Sequence, residues 1–257
     1  EWRQEFQATG RMSEETREDY VQLQKWLGEK LFLAGKKFYA YMLYVLPALT
    51  MLSLILAFVW IPYNIPVFLV LIQLGIVGIN LRIINHHHNQ ISRKYRLIEK
   101  FSRLIRQIEE AEFSSEYILR LQKDLSSSGI RAGKQLHRLA RLIVQFDRRL
   151  NMIMGFVLNG LLMWALHCLL RLERWKLANA KEMPAWFEIL GEFEALNSFA
   201  CFHFNNPWSV FPEFSPPNPI IEAESIGHPL IPSRENIHNN IRIGEPGEFI
   251  LITGSNM

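Results

Sequence analysis

The last eleven residues, Gly247-Glu248-Phe249-Ile250-Leu251-Ile252-Thr253-Gly254-Ser255-Asn256-Met257, read as a short apolar strand running into a glycine. A strand ending in this way can open a phosphate-binding loop, G-x-x-x-x-G-K-[ST]. In that loop successive backbone N–H groups surround the phosphates, while the Lys and the hydroxyl reach the β/γ-phosphates and Mg²⁺. Gly254 to Met257 supply the first four of its eight positions. A second group, Lys134, Arg138, Arg141, Arg148 and Arg149, could meet the phosphates of DNA or of anionic lipid. No aromatic interleaving favours DNA, and a solvated helix face is the plain alternative. His86-His87-His88 offers imidazoles that can ligate zinc, copper or nickel. Neighbouring histidines on a helix point in different directions, however, so the triplet reads as a polar collar. Cys168 and Cys201 are too few and too far apart for a disulfide framework or a thiolate zinc cluster. Glu188, Glu192 and Glu194 read as one exposed helix side, and neither H-E-x-x-H nor G-x-S-x-G occurs.

The elements that must carry these groups are set by a sharp charge pattern. The 257 residues are 49% apolar and 21% charged, which excludes disorder for most of the chain. The net charge of +3 conceals a basic middle, with 15 basic and 7 acidic groups in 82–150, and an acidic end, with 6 and 11 in 151–257. Between Lys37 and Arg82 lie 44 residues without a charge. This block offers two lengths near the roughly 20 residues that a membrane-crossing helix requires, 38–61 and 66–83. They are separated by Pro62-Tyr63-Asn64-Ile65-Pro66, where two prolines break the helix. Lys36, Lys37, Arg82, Arg93, Lys94 and Arg96 fall on one side of the resulting hairpin, which the positive-inside rule makes the cytoplasm. A buried soluble hairpin is the competing reading.

Residues 1–37 read as one or two amphipathic helices, with Tyr20, Leu23, Trp26, Leu27, Leu31 and Leu33 recurring at near-helical spacing. Beyond the hairpin, Ile91, Tyr95, Ile98, Phe101, Ile105 and Ile108 mark one helical face. Tyr117, Leu121 and Leu125 mark a second, and Leu136, Leu139, Ile143, Phe146 and Leu150 a third. The stretch 150–170 is again uncharged and 21 residues long. Asn151, Asn159 and His167 are costly in lipid, so it is expected to be a buried core helix rather than a third span. Seven of the twelve prolines crowd into 207–232 and exclude long helices there.

Four pieces of the C-terminal part occur in an order that resembles the MutS family of P-loop ATPases. Leu251-Ile252-Thr253-Gly254-Ser255-Asn256-Met257 resembles the start of that family's Walker A strand and loop, T-G-x-N-M. Gly227-His228-Pro229-Leu230-Ile231 is similar to its G-R-H-P element without the Arg, and Asn239-Asn240 to its Asn-Asp or Asn-Pro pair. Glu194-Ala195-Leu196-Asn197-Ser198-Phe199-Ala200 resembles the helix end joining lever to ATPase domain. The resemblance covers 185–257 well and the helices from about 90 loosely. Because mismatch-repair MutS has no hydrophobic hairpin, the nearest likeness is to the membrane-associated branch of MutS-like ATPases.

This resemblance implies a mainly α protein: a membrane helical hairpin and long lever-type helices, then the first β-strands of a truncated α/β P-loop ATPase domain. Its parts would be N-terminal amphipathic helices in 1–37, the transmembrane hairpin in 38–83, a helical core and lever in 84–202, and the start of the ATPase domain in 203–257. Nucleotide would be bound by Gly254, Ser255, Asn256 and Met257, with Ile237 or Asn236 at the place of the family's adenine-stacking aromatic. ATP and Mg²⁺ are implied for an intact parent protein but not for these residues alone, which carry no Walker Lys, and no catalytic or metal-ligating residue is assigned. The chain begins with Glu1 and is expected to be part of something longer. The implied partners are membrane lipid and a second copy through the ATPase domain, with DNA left open. Two spans would leave the lever and the ATPase part in the cytoplasm. The rival from another class is a non-catalytic membrane scaffold whose basic helices bind anionic lipid or a partner protein. An ABC transporter half is disfavoured, since 91–149 is too charged to add spans.

Overall fold

The computed structural model describes residues 2–11, 17–126, 129, 131–214, 221–232, 234–244 and 248–251. Among these the protein is mainly helical, with eleven α-helices and one two-stranded antiparallel sheet. The chain divides into two compact units, Glu1–Ala200 and Cys201–Met257.

The first unit is built around α6 (Tyr95–Glu110) and α8 (Ala132–Asp147), which run antiparallel. Their inward faces follow the expected periodicity: Ile98, Ile105, Ile108, Leu136, Leu139, Ile143 and Phe146 are all fully buried. The helices approach closely at Gly133, where an added Cβ would lie 2.4 Å from Arg106 Cγ and 3.1 Å from its backbone nitrogen. Around this pair pack α1 (Trp2–Gly10), α2 (Arg17–Gly28) and α5 (Leu81–Ser92), with α7 (Glu116–Asp124) between α6 and α8 in the chain. Buried Phe6, Leu23, Trp26 and Leu121 join the same core. Two members of the expected faces depart from it. Tyr117 is exposed and donates its hydroxyl proton to Glu192, and Leu150 projects outward past the end of α8.

The uncharged block forms a hairpin of α3 (Lys37–Ala57) and α4 (Asn64–Ile79). At 1.5 Å per residue α3 is about 31 Å long, close to the roughly 30 Å of a hydrocarbon core. It is the one described helix long and apolar enough to cross a membrane by itself, and the number rises to three if each of two bent helix pairs counts as a span. Pro66 sits in the first turn of α4, where N–H groups have no helical acceptor in any case. The second apolar length is not one straight helix to residue 83. It ends at Ile79, and α5 leaves at 59°. At the break the Asn80 side-chain amide donates to the Ile76 carbonyl, and the backbone N–H of Asn80 is shared between that carbonyl, its regular helical partner, and Val77 O.

The stretch 150–170 also departs from expectation. It divides into α9 (Met152–Leu162) and α10 (Trp164–Asn179), bent by 78° at Met163, whose φ of 49° lies in the left-handed region. α10 is the expected core helix, burying Ala165, Leu166, Leu169, Leu170 and Trp175. α9 is not buried: only Gly155 and Gly160 are covered, and it packs on α4 and α3. Asn159 is used in making the bend, since its Oδ1 accepts the backbone N–H of Ala165 in the first turn of α10.

α11 (Met183–Asn205) carries the chain out of the first unit. In the second, β1 (Ile221–Ile226) pairs antiparallel with β2 (Asn239–Ile243), with Ile221 opposite Ile243 and an irregularity between Ala223 and Ile226. Residues 248–251, expected as part of the Walker strand, have no regular structure and are exposed. A strand exists only through its ladder of backbone partners, whereas the contact here is made by a side chain, Gly244 N donating to Glu248 Oε2 at 3.0 Å.

Candidate functional site

In the second unit the hairpin of β1 and β2 brings together motif residues that are separated in sequence. Beyond β1, Gly227 and His228 lie against Asn236, whose side-chain amide behaves like a strand neighbour. Its Oδ1 accepts from His228 N at 3.2 Å, and its Nδ2 donates to His228 O at 3.1 Å. Gly227 has to be small for this, because a Cβ there would stand 2.5 Å from Asn236 Nδ2. Leu230 N donates to His228 Nδ1, closing the turn of Gly227-His228-Pro229-Leu230-Ile231. On the other strand Asn240 Oδ1 accepts from Ser225 N at 2.8 Å, fixing Ser225 at a φ of 54°, and the His238 ring meets Ser225 O. Ile237, between Asn236 and His238, is 81% exposed and offers an apolar side chain on an otherwise polar turn. Asn236 is engaged with His228, so of the two candidates for an adenine contact Ile237 is the one presented outward. Gly254, Ser255, Asn256 and Met257 lie outside the described residues.

In the first unit the histidine triplet is no solvent-facing collar. His86 is exposed, but His87 and His88 are buried, and each of the three has a carboxylate partner. His86 Nε2 lies 3.3 Å and His87 Nδ1 3.8 Å from Glu29, and His88 Nε2 lies 2.7 Å from Asp147, which also accepts from Ser92 Oγ. Burial pushes the Glu29 carboxyl up, but the amide of Gln90 and the two imidazoles outweigh it and hold it below the ordinary range. Ser92 bonds to Asp147 rather than to His88, so the trio has no activated nucleophile. Among the described residues no group of three or more His, Cys, Asp or Glu side chains could hold a metal ion.

Three side chains of α10 hold α3 and the chain leading into it, and spacing alone does not show them. Glu173, 3% exposed, accepts the backbone N–H groups of Phe32, Leu33 and Ala34 at 2.7, 2.8 and 2.7 Å. Lys176 Nζ donates to Trp26 O at 2.6 Å. His167 Nε2 lies 2.8 Å from Leu43 O. This last carbonyl is free because Pro47, four residues on in α3, has no N–H to give it. A proline inside an apolar run was the available signal, since it predicts an orphan carbonyl four residues earlier. Inside the hairpin, buried Gln73 donates to Thr50 Oγ1, which itself bonds to Leu46 O.

The basic residues of α8 form one exposed face with Lys134, Arg138 and Arg141, continued by Arg148. Arg149 instead lies over the Phe146 ring, 5.0 Å from its centroid. Glu188, Glu192 and Glu194 are exposed on α11, as expected. The molecule thus joins an apolar hairpin, a helical body with a basic face and a small unit carrying a two-stranded sheet. No family model, curated protein or solved structure matches the chain.

Proposed function

We propose that residues 1–257 form the membrane-anchored, lever-bearing part of a MutS-like ATPase, which couples ATP binding to movement of its helices. The observation that carries this reading is the order of motifs: Gly227-His228-Pro229-Leu230-Ile231, then Asn239-Asn240, then Thr253-Gly254-Ser255-Asn256-Met257. The bonds of His228 to Asn236 and of Asn240 to Ser225 at the same end of the strand pair support treating the first two as one functional turn, with Ile237 as its outward apolar contact. In this reading α3 and α4 are the anchor, and the body and the second unit face the cytoplasm. ATP and Mg²⁺ belong to the parent protein, whose ATPase domain forms a homodimer, and DNA is a further ligand to be tested. The coding sequence past Met257 decides the matter. Ser/Gly-Gly-Lys-Ser/Thr there supports the ATPase, and its absence sinks it and leaves the scaffold. The 257 residues by themselves are expected to give no Mg²⁺-dependent ATP turnover, because no Walker Lys is present to stabilise the transferring phosphoryl group.

The exposed basic face of α8 favours a second reading, a non-catalytic scaffold that binds anionic lipid or a partner protein. Duplex DNA affinity that falls steeply with salt would show phosphate contacts only, and mismatch preference would then be measured separately. Vesicle binding that depends on anionic lipid and is lost with Lys134, Arg138 and Arg141 neutralised would favour the scaffold.

A further inference from the structure

We infer that α9 is a third membrane-embedded element, one that lies in the cytoplasmic leaflet beside the hairpin without crossing the bilayer. The inference rests on the reading of α3 and α4 as the membrane anchor. α9 has 11 residues, about 16 Å of helix, and so cannot bridge a hydrocarbon core of about 30 Å. Both its ends return to the helical body. Asn151 caps its start by accepting from Met154 N, directly after Arg148 and Arg149, and the Met163 bend sends the chain into buried α10. It is nevertheless uncharged, and its N-terminal half is exposed: Met152 is 87%, Ile153 78% and Phe156 62% accessible.

Continuity and charge favour lipid as the occupant of this surface. Gly160 brings α9 against α4, where an added Cβ would meet Val70 at 3.1 Å, so its exposed apolar side chains extend the apolar surface of the hairpin. At the junction with the body stand groups suited to a headgroup layer. Arg171 lies 6.0 Å from the Trp164 ring centroid, and Arg174 donates to Tyr44 Oη at 3.4 Å. Arg148 is exposed at the foot of α9. Arginines beside Trp and Tyr mark a membrane–water boundary, and a short apolar helix at that level buries its side chains about 5–10 Å below the headgroups.

The test uses the whole chain with Cys168→Ala and Cys201→Ser, reconstituted in vesicles of phosphatidylcholine and phosphatidylglycerol. Single cysteines replace Ile153 or Phe156 on α9, Ile55 at the far end of α3, or Arg120 on α7, and each carries an environment-sensitive fluorophore. Iodide probes water, and nitroxides placed high or low on the acyl chain probe depth. Both α9 labels are expected to be several-fold less quenched by iodide than the Arg120 label, and quenched more by the shallow nitroxide than by the deep one. Iodide access at α9 with Ile55 shielded overturns the inference and leaves the anchor standing, whereas iodide access at Ile55 overturns the anchor itself. Shielding from iodide with no nitroxide quenching means that protein, a second copy included, covers α9, and overturns the lipid assignment. Access only from the far side of the vesicle means that α9 crosses, and overturns it too. Two label positions guard against a single substitution disturbing the helix.

Discussion

Glu173 ties parts of the chain that are far apart in sequence through one side chain. Its two oxygens satisfy three consecutive backbone N–H groups about 140 residues away in the chain, that of Leu33 buried and those of Phe32 and Ala34 partly buried. Truncation leaves these donors without their acceptor, at a cost of about 1–3 kcal/mol for a buried one and less for the other two. Glu173→Ala is therefore expected to lower stability by about 3 kcal/mol, read from chemical denaturation, with Glu173→Gln between it and the native protein. A loss no larger than that of an exposed glutamate would refute the assignment. Glu109 gives a pH-dependent prediction. Burial pushes its carboxyl above the ordinary value of 4.5, and the hydrogen bond from Gly133 N offsets this only in part. A carboxyl raised in the folded state binds protons on folding. Its contribution is complete below the unfolded value and is lost as pH rises through the folded one. The melting temperature should accordingly fall across the window just above 4.5 in the native protein and not in Glu109→Gln, the two differing least in acid. A gap between them that is independent of pH would count against this account.

The pairing of α6 with α8 depends on the bare backbone at Gly133. Gly133→Ala would drive a methyl group into Arg106, backbone included, and is expected to cost about 1–3 kcal/mol by thermal or denaturant melting. A neutral result would show that the helices can separate freely. The inward faces of these two helices were legible in the sequence because a 3.6-residue period has one meaning when the opposite face is charged. The division of 150–170 was not. Hydropathy assigns the same value to a side chain packed in a core and to one left outside, so α9 and α10 looked like a single element. The uses of Asn159 and His167 were not legible: one caps α10 across the bend six residues on, and the other takes the carbonyl released by Pro47, 124 residues away. Periodicity encodes neither. The histidine triplet failed as a collar for a similar reason, since Glu29 and Asp147 lie 57 and 59 residues away from His86 and His88. The small turn around Asn236 was legible only as motif wording. The hydrogen bonds that make Gly227 necessary depend on a fold-back of the chain that no local pattern specifies.

For the whole molecule, the prediction concerns sidedness. In the proposed arrangement, two crossings by α3 and α4 would return the chain to the side on which Lys36, Lys37 and Arg82 lie. A reporter joined after residue 200 is therefore expected to report the cytoplasm, and an external signal would refute the two-crossing arrangement. The contacts of α10 constrain how the hairpin can move. Glu173 and Lys176 hold the segment before α3, and His167 holds α3 itself a turn and a half beyond its start. A hinge at residues 29–36 is thereby closed off. Tilting the hairpin has to drag α10 along or break five hydrogen bonds to one helix. The hairpin is coupled to the body as a rigid handle, so a torque applied to its far end is delivered to the core and is not lost in a loose linker.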